Sequence, residues 1–210
     1  PAARSNANPS AAALATAPTS SRVVPNPWRN YDRDWDWIQT DDGIPLNYAG
    51  CLDQEEIHRR EDEGVARVME FVVGLLTRPE SVPLTVDLVH QLHRELMGEI
   101  YTFAGEWRTV ALHKGEGPTK WPLPMGGIEP LMNALERDVF ARSPLISDDD
   151  REVYGYVSEV MCEMLAIHPF REGNGRLAFI VGNLPLMQNN LLPLDVYERH
   201  LDEPRYLVAC

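Results

Sequence analysis

Nine consecutive residues, His168-Pro169-Phe170-Arg171-Glu172-Gly173-Asn174-Gly175-Arg176, place an imidazole, a carboxylate, a Gly-Asn-Gly turn and a guanidinium in one short stretch. His168 titrates near neutral pH and can take a proton from a nucleophile. Glu172 can hold a hard cation such as Mg²⁺, which typically uses one or two carboxylates together with substrate phosphates. Gly173 and Gly175 tolerate positive φ and let backbone N–H groups come close to a ligand. Those groups would open a helix, the end that favours anions. Arg176 can hold a phosphate with paired donors. Together the parts read as a phosphate cradle with a metal ligand and a base.

Each fragment alone is an ordinary structural device. His-Pro stops a helix because proline lacks the backbone donor, and Gly-Asn-Gly is a common turn. What separates this stretch from such devices is that base, carboxylate, glycines and arginine share one loop. Long apolar-periodic segments precede and follow it, so the layout is helix, tight polar loop, helix.

The string resembles the signature of the Fic (Fic/Doc) family, His-x-Phe-x-Asp/Glu-Gly-Asn-Gly-Arg. His168, Phe170, Glu172, Gly173, Asn174, Gly175 and Arg176 match every specified position. The resemblance implies an all-α helical bundle around a helix–loop–helix active site, with a short β-hairpin flap. It implies a protein adenylyltransferase, which moves AMP from ATP to a hydroxyl of a target Tyr, Ser or Thr with Mg²⁺ on Glu172. In that scheme His168 is the base. Asn174, the amides of Gly173 and Gly175, and Arg176 bind the nucleotide and steady the phosphoryl charge. A second stretch, Glu99 to Arg108, resembles the family's Tyr-x-x-Ala-Gly-x-x-Arg-like turn before the flap, and there Arg108 is expected to organise the turn.

Length and composition agree with such a domain. The chain has 210 residues, 44% of them hydrophobic and 24% charged, enough for one domain with a hydrophobic core. Its net charge of −13 argues against a broad nucleic-acid surface, so any phosphate site must be local. No apolar run approaches the roughly 20 residues of a membrane span. Cys51, Cys162 and Cys210 show no paired spacing. They read as reduced thiols in a cytoplasmic compartment, of the protein's own cell or of a host cell receiving it as an effector, with Cys162 buried in a helix.

Residues 1–27, rich in Ala, Ser, Pro and Asn, read as a disordered or targeting tail, and 28–210 as the domain. Trp28, Tyr31, Trp35 and Trp37 form an aromatic cluster expected to pack on the domain body. A helix is expected over 53–76, with Asp53 and Glu56 as a capping box and Ile57, Val65, Val68, Met69, Val72, Val73 and Leu76 as its apolar stripe. The charged run His58 to Glu63 reads as a solvated face. Further helices are expected from Thr85, over 127–142 with Ile128, Leu131, Met132, Leu135 and Val139 inward, and over 149–167. A strongly apolar one is expected over 177–190, containing Pro185. Residues 109–124, with their glycines and prolines, predict the hairpin-like flap. By resemblance the flap pairs with an extended target segment, and Lys114 and Lys120 could meet phosphate or an acidic target.

Two features depart from the family pattern. The slot of a second arginine, which grips the outer phosphates of ATP, holds Phe179. The nearest match to the family's inhibitory Ser/Thr-x-x-x-Glu-Gly/Asn helix is Glu63-Gly64, with Arg59 in the Ser/Thr slot. The first departure opens other donors, such as UTP or CDP-choline, or a reversed pose giving Doc-like phosphorylation. The second implies no built-in inhibition of that kind and leaves control to other means, a separate inhibitor protein among them. A non-catalytic interaction protein keeping the fold is the remaining alternative.

Overall fold

The computed structural model describes residues 53–113 and 120–194, with Asn47 and Gly50. The tail, the aromatic cluster around Trp28, Cys51, Lys114 and the segment from residue 195 through Cys210 lie outside the described residues. Within them the chain is helical, with one two-stranded ribbon. α1 runs Gln54–Leu76, α2 Val86–Met97, α3 Glu129–Asp138, α4 Asp150–Ile167 and α5 Asn174–Gln188. β1 (Leu112–His113) and β2 (Lys120–Trp121) pair antiparallel, with Leu112 opposite Trp121. None of the described helices is long and apolar enough to cross a membrane.

Local chemistry sets the helix starts. The Asp53 side chain accepts from Glu56 N, that of Thr85 from Leu88 N, and that of Asp149 from Arg151 N. Each satisfies a first-turn donor that no helix can satisfy itself. α5 is the exception. It begins at Asn174, three residues earlier than its apolar pattern predicts, with Gly173 as its N-cap and no side-chain cap.

α5 is the central element. It packs on α4 most extensively and also on α2 and α1. Its residues 177–178, 180–186 and Asn174 are buried, which is why its sequence is apolar on nearly every face. Gly182 permits the tight approach to α4, since a Cβ there would lie 2.7 Å from Met161 Cγ. Gly64 does the same between α1 and α2, where a Cβ would meet the Leu96 carbonyl oxygen at 2.0 Å.

Three expectations are corrected. Cys162 is exposed, because the α4 face that packs is set by Val157, Val160, Met161 and Met164, and Cys162 falls outside it. Val73 and Leu131 also face solvent, at the edges of their stripes. The run His58 to Glu63 is not a solvated face throughout, since Glu61 is buried at 4% exposure.

Candidate functional site

The loop between α4 and α5 is shaped by three residues. Pro169 has no N–H, so α4 cannot continue through it. His168 ends the helix in the left-handed region, φ 52°, unusual for a residue with a Cβ. Gly173, φ 77°, turns the chain into α5. A Cβ at Gly173 would also meet the Met97 Cε methyl at 2.3 Å. Gly175 does not use the positive φ that glycine allows: it lies in the first turn of α5 and is exposed.

Between these points the loop is tied into the core. Phe170 is fully buried and stacks on His93 of α2, ring centroids 3.7 Å apart and 5° from parallel. Trp107 closes its other contacts at 4.9 Å. The Asn174 side chain clasps the loop: its Oδ1 accepts from Phe170 N at 2.9 Å and its Nδ2 donates to Phe170 O at 2.7 Å. At 3% exposure the side chain lies inside the loop. Asn174 thus holds the loop's shape, beside the nucleotide contact that the sequence suggests.

His93 fixes the far side. Gly105 N donates to its Nδ1 at 2.7 Å, so that nitrogen is the unprotonated one. Nε2 then donates to the Glu172 carbonyl at 3.0 Å. Burial pushes its pKa down to about 4, and the hydrogen bond to Glu172 only partly opposes this. His93 is thus a neutral strut between α2, the Gly105 turn and the loop.

Arg108 organises the turn, as expected, and does more. Its guanidinium donates to the carbonyls of His168 (2.6 Å), Val110 (2.6 Å), Pro122 (3.1 Å) and Ile167 (3.3 Å), and its backbone N donates to Pro169 O. A buried cation at the carbonyl end of α4 suits the helix dipole. Burial still lowers its pKa to about 10. One side chain so joins the loop to both ends of the flap.

His168, Trp121 and Arg176 are half-buried on this scaffold. His168 Nδ1 lies 3.3 Å from Leu165 O, an acceptor only, so the proton sits on Nδ1 and Nε2 is the basic nitrogen. The Trp121 indole stacks on the same ring at 3.7 Å. Arg176 pairs through Nη1 with Glu61 of α1 at 2.8 Å. Burial disfavours its charge, but the Glu61 hydrogen bond and the nearby carboxylates of Glu61 and Glu172 outweigh that and hold its pKa above the usual arginine value. Glu63, the nearest match to an inhibitory glutamate, pairs instead with Arg59 on its own helix. Lys120 is exposed, and strand alternation points it away from the side where Trp121 meets His168.

Mg²⁺ fits the donor set. Glu172 carries a hard carboxylate oxygen in the field of Arg176. One carboxylate together with nucleotide phosphates is a donor set that Mg²⁺ takes. The amides of the uncapped first turn of α5 and the Arg176 guanidinium offer the matching anion site.

Sequence reading missed Glu61, His93 and Trp121. The first two carry a signal: Glu61 falls in phase with Ile57, Gly64 and Val68, and His93 with Val89, Leu92 and Leu96. A titratable residue on an apolar stripe is buried with a partner.

Comparison with known proteins bears on the family and the fold. The model of the Fic/DOC family matches residues 83–186. The chain is 35% identical over 129 residues to the probable protein adenylyltransferase y4lH of Sinorhizobium fredii, 59% of this chain and 63% of that one. It is 29% identical over 150 residues to the protein adenylyltransferase VbhT of Bartonella schoenbuchensis, 70% of this chain and 30% of that one. The chain thus spans less than two thirds of the length of either relative. Among solved structures, the N-terminal Fic domain of a VirB-translocated effector from Bartonella quintana superposes with TM-score 0.62 at 18% identity, over 83% of this chain and 82% of that one. BepC of Bartonella tribocorum, solved with bound AMPPNP, gives 0.59 at 19%, over 79% and 82%. At these identities the structures speak for the fold.

Proposed function

The chain belongs to the Fic/DOC family through residues 83–186, and on that premise we propose that it is a Mg²⁺-dependent protein adenylyltransferase. Its substrates are ATP and a target protein with a Tyr, Ser or Thr hydroxyl. The target oxygen gives its proton to His168 Nε2 and bonds to the α-phosphorus. The bond from that phosphorus to the bridging oxygen breaks, and pyrophosphate leaves. The first-turn amides Gly173 to Gly175 and the Arg176 guanidinium hold the phosphoryl oxygens as charge builds on them. Glu61 keeps the guanidinium plane in place from behind. Mg²⁺, held by Glu172 and the phosphates, supplies further charge neutralisation when bound.

One observation carries the reading: a histidine in the left-handed region, its Nδ1 proton given to Leu165 O, stands at the same loop as an uncapped helix start and a buried-side arginine. The names of the curated relatives support the same reaction class.

A second reading concerns the donor. Phe179 packs into the apolar cluster of Val153, Val157, Met161 and Leu186. A ring seated there offers no cationic grip on outer phosphates, which favours a diphosphate-linked donor such as CDP-choline over a triphosphate, ATP and UTP alike. Doc-like phosphorylation by a reversed pose is the other arrangement. Incubation of the purified protein with Mg²⁺ and a panel of α-labelled nucleotides, followed by mass spectrometry, decides among them. A nucleoside monophosphate adduct on the protein itself is the expected result, and its mass names the donor. Nucleotide binding without any adduct, on itself or on lysate proteins, would overturn the transferase reading.

A further inference from the structure

We propose that Trp121 is a positioning residue for His168, through which the flap sets the orientation of the base. The inference rests on the transferase reading of the loop and assigns a role to a residue outside it.

Pro169 creates the opening for this contact. In a continuing helix the Leu165 carbonyl would accept from the N–H of residue 169, which proline lacks. Two ring N–H groups take its place. His168 Nδ1 reaches Leu165 O at 3.3 Å, and Trp121 Nε1 donates to the same oxygen at 3.0 Å. The indole and imidazole planes lie 19° apart with centroids 3.7 Å apart. Trp121 therefore covers one face of the imidazole and anchors at the acceptor that fixes its tautomer.

The contact belongs to the flap. Trp121 lies in β2 opposite Leu112, and the next residue, Pro122, accepts from Arg108 Nη2 at 3.1 Å. Arg108 also donates to His168 O. The flap strand thus meets the base twice, through the Arg108 bridge to its backbone and through the indole to its ring. An indole face also favours a cation above it, so the same contact steadies the imidazolium formed when His168 takes the hydroxyl proton. A target segment that docks on the flap engages the element that holds the base.

The test compares Trp121→Leu and Trp121→Phe with the wild-type chain by NMR of the His168 ring and by self-labelling kinetics. In the wild type, the indole ring current should displace the His168 ring protons upfield, with Nδ1 protonated. Trp121→Leu should abolish the displacement and lower kcat roughly tenfold, with KM for nucleotide within about twofold. Trp121→Phe keeps a ring face and should restore kcat to within about threefold of wild type. Wild-type His168 ring protons at undisplaced positions would overturn the proposal even if the leucine variant fails to fold. So would a wild-type kcat in folded Trp121→Leu, or a loss that phenylalanine does not rescue. Absence of transfer by the wild type with every donor would instead sink the transferase reading, while the ring-proton shift still reports on the placement of Trp121.

Discussion

The inner and outer sides of the loop at 168–176 differ in what their polar atoms do. On the inner side they are spent on the protein itself: Asn174 on Phe170, His93 on Gly105 and Glu172, Arg108 on four carbonyls. On the outer side His168 Nδ1 lies against Leu165 O at the end of α4, and α5 opens with no side-chain cap. Both sides carry a histidine, and the contrast between them is instructive. His93 has both nitrogens satisfied in the core and is held neutral, which suits a strut. His168 sits at the helix end with its tautomer set and its ring steadied, which suits a base. The loop separates support from chemistry, and each can be broken without the other.

The largest expected effect is on the outer side. His168→Ala should lower transfer by roughly 10²- to 10⁴-fold, the usual contribution of a positioned base. Thermal unfolding of the variant should change little, since the imidazole is at the edge of the core. Retained transfer in a folded variant would remove His168 from the mechanism.

Inner-side changes should act on stability first. Asn174→Ala leaves the Phe170 N–H and C=O buried without partners. At about 1 to 3 kcal/mol for each unsatisfied group, a loss of roughly 3 to 4 kcal/mol is expected by urea denaturation. Acid should do comparable damage through His93. Its folded pKa, about 4, lies below the ordinary 6.5, so the unfolded chain takes up the proton first. Stability from this group is complete above pH 6.5 and declines as pH falls toward 4, by roughly 3 kcal/mol. Denaturation curves for wild type and His93→Gln isolate it: the variant should show a flatter decline across that window, and parallel declines would contradict the assignment.

The smallest effect expected is at the turn itself. Gly173→Ala forces a side chain into φ 77° and against the flexible tip of Met97. A loss of roughly 1 to 2 kcal/mol is expected, read as a drop in denaturation midpoint. An unchanged midpoint would mean that the turn relaxes without strain.

Much of the outer side was legible in the sequence because its residues are contiguous. The motif, its flanking helices and the flap hairpin are local patterns, and so are the caps at Asp53, Thr85 and Asp149. The long-range contacts of either side were not, because their partners come from distant segments. Glu61 lies 115 residues before Arg176 in the chain, and only its phase on the α1 stripe hints at burial. The Asn174 clasp and the Trp121 stack depend on loop geometry that residue types do not specify. The helix start at Asn174 was missed for the same reason: the apolar pattern begins at Leu177, whereas the backbone turn is made by Gly173.

The division between the two sides is tested most directly by a ¹H–¹⁵N NMR titration of the wild-type chain with Mg²⁺ and ATP. The account predicts that the largest shifts fall on the backbone amides of Gly173 to Arg176 and on the His168 ring. The Asn174 side-chain amide and the His93 ring should keep their resonances. Saturating nucleotide that leaves the Gly173 to Arg176 amides unmoved, or that shifts a different surface, would contradict it.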